Sequence, residues 1–161
     1  MDAGKLSLLY NALKNFKSDN TPQEKYLSDK VWFFEFNHIS RVYLFLRESI
    51  EKCIEKDECF IEGFFSLNIN YPKRKDVDNI DEDLLDKDKA RVIGVLIGQL
   101  AKYRDENYIS PLNAEIILFY AEKMVREADS IVPFRCILIE TETEKVKQLY
   151  ENCGYSFLKK T

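Results

Sequence analysis

The chain has 161 residues, 45% of them hydrophobic and 13% aromatic, which suits a single compact domain with a buried core and excludes a disordered or fibrous chain. Its 24 Lys and Arg stand against 28 Asp and Glu, a net charge of −4, so a whole-protein basic face for nucleic acid is excluded and only a local patch is left. Five glycines and one histidine, His38, exclude a Walker loop, a G-x-G-x-x-G dinucleotide turn, an H-E-x-x-H site and a multi-histidine zinc site, so no metal is expected.

In chain order, Tyr26, Leu27, Val31 and Phe34 fall on one helical face, with Thr21 and Pro22 placed to start the helix. The aromatic crowding of Val31 to Phe36 would also suit a strand. His38, beside Asn37 at the junction that follows, reads as a capping or surface residue rather than a general base. Ile39 to Leu46 is β-branched and aromatic and predicts a strand. Glu48 to Glu58 is a charged connection of one or two helical turns. Phe60 to Ile69 predicts a second strand, stopped by Pro72, which cannot donate to a sheet ladder.

Residues 72–91 read PKRKDVDNIDEDLLDKDKAR, 13 of 20 of them charged, which predicts a solvated insertion with no buried path. The short basic run at its start is followed by seven acids, so the segment neutralises itself rather than forming an RNA patch. Val92 to Lys102 is a near-continuous apolar run, as a central strand covered on both faces requires. At about half a membrane span it is too short to cross a bilayer.

Ser110 and Pro111 have the form of a helix start, serine as N-cap and proline at the first position. Ala114, Ile117, Leu118, Ala121, Met124, Val125 and Ala128 then repeat at i, i+3, i+4, i+7. Arg135 to Glu140 predicts a buried strand. Thr141 to Glu144 fits a capping box, Val146, Leu149, Tyr150 and Cys153 share one face of a short helix, and Gly154 closes it as the C′ residue. Tyr155 to Leu158 predicts a last strand. Cys53, Cys59, Cys136 and Cys153 contain no C-x-x-C pair and are too sparse for a disulfide scaffold, which points to reduced thiols, with Cys136 and Cys153 as small buried hydrophobes. With no signal core near the N-terminus, a soluble cytoplasmic protein is expected. The order of elements predicts an α/β fold, a mixed central sheet flanked by helices.

LIGQLAK, the helix after it, and KVKQLYENCGYSF (Lys145 to Phe157) together resemble the GNAT superfamily of acyl-CoA-dependent N-acetyltransferases, whose late helix ends in (L/F)Y-E-x-x-G-(F/Y). Leu149 to Tyr155 matches that ending. Tyr26 to Val31 looks like the family's early helix, Arg41 to Phe45 like its first strand and Gly63 to Leu67 like its G-(Y/F)-F-(T/S)-L strand, so the resemblance covers nearly the whole chain. It is closest to the toxin-like branch that acetylates aminoacyl-tRNA.

The resemblance implies a GNAT-like domain over residues 1–161 that transfers acetyl from acetyl-CoA to a primary amine by direct attack on the thioester. The acceptor is a small or macromolecular amine, aminoacyl-tRNA among them, and no membrane is involved. The backbone of Leu100, Ala101 and Lys102 would hold the cofactor arm. Tyr150 would protonate the leaving thiolate, against the bland reading that it packs with Val146 and Leu149. Glu62 and Glu140 stay open as general bases.

The family's (Q/R)-x-x-G-x-(G/A) diphosphate turn has no counterpart here. Arg104 to Asn113 holds no glycine, Pro111 removes a donor, and Asp105, Glu106 and Glu115 repel phosphate. What remains for the diphosphate is Ser110, the N–H groups of Leu112 and Asn113, and Arg104 or Lys102 as countercharge. The alternative function is therefore a catalytically silent GNAT-fold interaction protein with weakened or lost CoA binding. The family also closes with a further hairpin strand, and here the sequence stops at Thr161 with a truncated C-terminal strand. Either a homodimer supplies the missing strand, the sequence is cut short, or the acceptor side is left open.

Overall fold

The structure, a computed structural model of the chain, describes residues 3–70, 72–73, 81–85, 87–88, 90–92, 94–131, 133–141 and 144–156, with the side chains of Ala3 and Lys145 left aside. Its elements are α1 (Ala3–Lys14), α2 (Thr21–Lys25), a π-helical turn (Tyr26–Lys30), α3 (Val31–Phe36), β1 (Arg41–Leu46), α4 (Ile50–Lys56) and β2 (Ile61–Asn70), then β3 (Gly94–Lys102), α5 (Ala114–Asp129), β4 (Cys136–Ile139) and α6 (Glu144–Asn152). The four strands form one mixed sheet in the order β1-β2-β3-β4, flanked by helices. The long apolar run is thus an interior strand, as its composition requires.

Two compact units make up the chain. The first holds residues 1–66 and 99–121, the second residues 67–98 and 122–161. The core of the first joins Ala12 and Leu13 of α1 and Phe16 to Tyr26, Leu27 and Val31, with Ile61 and Phe64 of β2 and Ala101 and Tyr103. Helix α1 has no counterpart in the sequence reading, yet Leu13 and Phe16 are almost wholly buried. Tyr26 to Phe36 is helical rather than a strand. Thr21 and Pro22 do open it, and Tyr26 anchors it by a buried 2.9 Å hydrogen bond between its hydroxyl and Ser40 Oγ. His38 is exposed in the left-handed region at φ 54°, closing α3 as a terminal residue would. Asp57 does the same for α4 at φ 50°, and Ser49 caps that helix's other end.

In the second unit β3 and β4 run parallel, with Gly94 opposite Cys136 and Ile97 opposite Ile139. Strand β4 is half-buried rather than buried. Within the charged insertion, Leu85 is 1% exposed and bridges to Val92, correcting the expectation that nothing in this segment is buried. One apolar side chain among many charges can fold inward because the backbone beside it pairs, and Val92 N–H also reaches Pro72 O at 2.9 Å. Cys153 is exposed because α6 ends at Asn152, which corrects its expected burial. Gly154 takes φ 92°, and Tyr155 N–H closes the helix on Tyr150 O at 3.1 Å, the bond a C′ glycine permits. Ala128 is exposed rather than on the buried face of α5. Glu142 and Thr143 of the expected capping box, and Phe157 and Leu158 of the expected last strand, lie outside the described residues.

Candidate active site

The first unit's candidate residues begin at the C-terminal half of β3. The last β3 residue paired with β4 is Ile97, and β3 continues to Lys102. Leu100, Ala101 and Lys102 therefore lie beyond the β3–β4 ladder. The Leu100 carbonyl accepts a hydrogen bond from Gln23 Nε2 at 2.8 Å, and Lys102 Nζ lies 3.5 Å from Ser110 O.

After β3 the chain makes a small hairpin rather than a glycine turn. Arg104 bridges Ile109, Asp105 N–H reaches Tyr108 O at 2.9 Å, and Ser110 N–H reaches Tyr103 O at 2.9 Å. The Asp105 carboxylate accepts from Tyr103 Oη at 2.7 Å, Asn107 N at 2.8 Å and Tyr108 N at 2.7 Å. Those donors hold its carboxyl below the usual carboxylate range. Burial, then the bond to Asp105, pushes the Tyr103 phenol up to about 12.

Helix α5 begins at Ala114, and its cap is Asn113, whose Oδ1 accepts from Ile116 N at 2.7 Å. This corrects the placement of the cap at Ser110 with proline at the first helical position. Ser110 is 2% exposed, because its N–H is already spent closing the hairpin. Its Oγ accepts from Leu112 N at 3.2 Å, so both Ser110 and the Leu112 N–H are engaged inside the protein. Arg104 is paired with Asp19 at 2.7 Å, with the two side chains 47% and 68% exposed.

Beneath the hairpin lies a cluster that the sequence reading did not assemble. Glu62 on β2 accepts from Arg47 Nε at 2.7 Å and from Tyr108 Oη at 2.9 and 3.0 Å. The Arg47 guanidinium lies 3.8 Å from the Phe60 ring centre and 4.5 Å from that of Tyr108. Burial pushes the Glu62 carboxyl up, but the hydrogen bonds from Arg47, Tyr108 and Ser110 outweigh it, and the net shift is downward. A carboxylate held this way is a poor proton acceptor. The available signal was positional: Arg47 follows β1 and Glu62 opens β2, so pairing the two strands sets opposite charges side by side. Glu140, the other open carboxylate, is exposed just past β4.

In the second unit Tyr150 sits half-buried on α6, its ring centre 6.1 Å from that of Tyr155. Burial, and to a lesser degree Cys153, raises its phenol, which stays protonated at neutral pH. Among the described residues the Tyr150 hydroxyl has no hydrogen-bond partner, whereas Tyr155 Oη donates to Glu122 Oε1 at 2.8 Å. Two tyrosines five residues apart thus differ: one is committed to a carboxylate and the other is available. No group of three or more metal-ligating side chains occurs among the described residues.

The fold has close counterparts among solved structures. AtaT complexed with acetyl-methionyl-tRNAfMet superposes with a TM-score of 0.68 at 18% identity, over 91% of this chain and 80% of that one. A tyrosine-to-phenylalanine mutant of KacT gives 0.68 at 16% identity over the same shares. A tyrosine-to-phenylalanine mutant of the AtaT toxin, bound to the C-terminus of the antitoxin AtaR and acetyl-CoA, gives 0.63 at 17% over 88% and 75%. The chain has the GNAT fold. A scan against protein-family models and a search of curated proteins each return no match. At these identities the likeness establishes the GNAT architecture. No helix among the described residues is long and apolar enough to cross a membrane.

Proposed function

We propose that this GNAT-fold protein is an acetyl-CoA-dependent N-acetyltransferase. The observation that carries the reading is the β3 edge: the ladder with β4 ends at Ile97, and the strand runs on to Lys102 with backbone groups able to pair with an extended amide-bearing chain. The arm of acetyl-CoA is such a chain. Leu100 and Lys102 hold it through their backbone, while Ala101, expected from the sequence to share the task, turns its carbonyl to β2, so selectivity is left to the shape of the edge rather than to any one side chain.

The amine nitrogen attacks the thioester carbonyl, the new C–N bond forms and the C–S bond breaks. The thiolate takes its proton from Tyr150, the amine's proton passes to solvent, and the phenol is recharged from water. Tyr150 suits this role because its hydroxyl is protonated and, among the described residues, uncommitted. At the diphosphate end Lys102 supplies charge. Arg104 joins it by exchanging Asp19 for a phosphate, since an exposed ion pair is worth only about 0–1 kcal/mol. The Asn113 N–H adds a donor, while Ser110 and Leu112 shape the turn through their mutual bond. AtaT, solved with an acetylated methionyl-tRNA, makes the amino group of an aminoacyl-tRNA the acceptor class to test first.

A second reading, a silent interaction protein on the same fold, is favoured by the turn itself, which uses Ser110 and the Leu112 N–H internally. Calorimetry with acetyl-CoA separates the two. Binding, with a rise in melting temperature of the native protein, is expected. Tyr150→Phe is then expected to lower kcat by about 100- to 10,000-fold with little change in acetyl-CoA affinity. No binding at millimolar acetyl-CoA replaces the first reading with the second, and a Tyr150→Phe enzyme at the parent rate makes Tyr150 a packing residue.

A further inference from the structure

The C-terminal half of β3 carries a hydrogen bond that the sheet does not require. Strand residues turn their N–H and C=O groups alternately to the two neighbouring edges. Gln99 N–H reaches Ser66 Oγ at 2.9 Å and Tyr103 N–H reaches Glu62 O at 2.7 Å, while a Cβ at Gly63 would stand 2.9 Å from Ala101 O. The odd-numbered positions therefore face β2. Leu100 and Lys102 turn their backbone groups to the opposite edge, where pairing with β4 reaches only to Ile97.

On that edge the Leu100 carbonyl is held at 2.8 Å by Gln23 Nε2, from a residue 77 positions away. Gln23 lies in the first turn of α2, its backbone fixed by Pro22 before it and by its own N–H to Asn20 O at 3.0 Å, so the side chain alone makes the reach. A primary amide is a planar donor and acceptor, the nearest a side chain comes to a peptide unit. Among the described residues no strand pairs with this edge beyond Ile97, and Gln23 supplies one peptide-like donor there. An unpaired edge invites such capping, because an exposed row of strand acceptors is a template for any extended chain.

We propose that Gln23 competes with the arm of acetyl-CoA for the Leu100 acceptor, so that the cosubstrate pairs with β3 only as the Gln23 side chain swings away. The inference rests on the acetyltransferase reading above and adds that cosubstrate affinity is set by a side chain of α2. The competition lowers affinity by the net worth of one hydrogen bond, about 2- to 12-fold. It also confers selectivity: a ligand that offers Leu100 no N–H cannot repay the displaced bond.

The test is calorimetric titration of acetyl-CoA into the wild-type protein, Gln23→Ala and Gln23→Met. Methionine keeps the length and bulk of glutamine and removes the amide, and a melting curve of each variant checks the fold. Both variants are expected to bind about 2- to 12-fold more tightly than wild type. Unchanged or weaker binding in both overturns the competition and leaves the acetyltransferase reading in place. Tighter binding confined to one variant assigns the effect to bulk and likewise overturns it. Absence of binding in all three proteins at millimolar acetyl-CoA removes the acetyltransferase reading, and the role of Gln23 falls with it.

Discussion

Glu62 is the polar residue of the first unit's cluster whose removal tests the reading of that cluster. Its side chain is 10% exposed and accepts bonds from Arg47 and Tyr108. In Glu62→Ala the Arg47 guanidinium, 45% exposed, turns to water, and its loss is small. Ser110, 2% exposed, keeps the Leu112 N–H on its Oγ and loses little. The charge-assisted bond from Tyr108 is the larger loss, about 1.5–3 kcal/mol, or about 3–12 °C in melting temperature for a chain of this size. Glu62→Gln keeps an acceptor oxygen and loses the charge, so it should cost about 1–2 kcal/mol at neutral pH. The sign of the pH dependence follows from the downward shift of the Glu62 carboxyl. Its stabilisation is present above the unfolded carboxyl value of about 4.3 and is lost as pH falls through the lower folded value. The gap between wild type and Glu62→Gln should therefore close towards pH 3. Urea unfolding followed by fluorescence is the assay, because Trp32 is the only tryptophan and packs against the first unit's core. A gap that stays constant from pH 7 to pH 3 would refute the reasoning.

Gly63→Ala should destabilise the same unit by about 1–3 kcal/mol, because its Cβ would meet Ala101 O at 2.9 Å and Leu112 Cδ1 at 3.1 Å, and the backbone atom cannot step aside. A melting temperature equal to wild type would show that β2 and β3 separate at no cost. Asn113→Ala should cost about 0.5–2 kcal/mol as a lost N-cap, with Asn113→Asp retaining most of it. Equal urea midpoints for Asn113→Ala and wild type would return the cap to another residue.

Much of the architecture was legible because periodicity and strand composition are local. The strand read at Val92 to Lys102 appears as Gly94–Lys102, and the helix whose apolar face runs from Ala114 to Ala128 appears as Ala114–Asp129, starting three residues after the expected first position at Pro111. Helix α1 was not legible, since its burial depends on Phe16, Leu13 and Ala12 meeting β2 residues far along the chain. The cap of α5 was misread for a related reason. Ser110-Pro111 has the local chemistry of a helix start, but the Ser110 N–H is drawn back to Tyr103 O, and that bond holds Ser110 in the hairpin until Asn113 can open the helix. Local rules pointed to Ser110, and a contact seven residues upstream moved the cap to Asn113.

The same hairpin explains why the candidate site was only half legible. A glycine turn binds diphosphate because its N–H groups have no other partner and the missing side chains let the ligand approach. The absence of glycine between Arg104 and Asn113 was visible in the sequence; what replaced it was not. Here Asp105 organises the turn with its carboxylate, taking the N–H groups of Asn107 and Tyr108, and Ser110 takes that of Leu112. The turn satisfies itself. Its acids, which read from sequence as repulsion towards phosphate, are in part internal acceptors, and Asp105 carries three donors around its charge. Anion attraction at this end therefore falls to Lys102 and to an Arg104 that must first leave Asp19. If the protein takes acetyl-CoA, its affinity has to come chiefly from the β3 edge, where backbone groups rather than charges do the holding, and this is the edge on which Gln23 already sits.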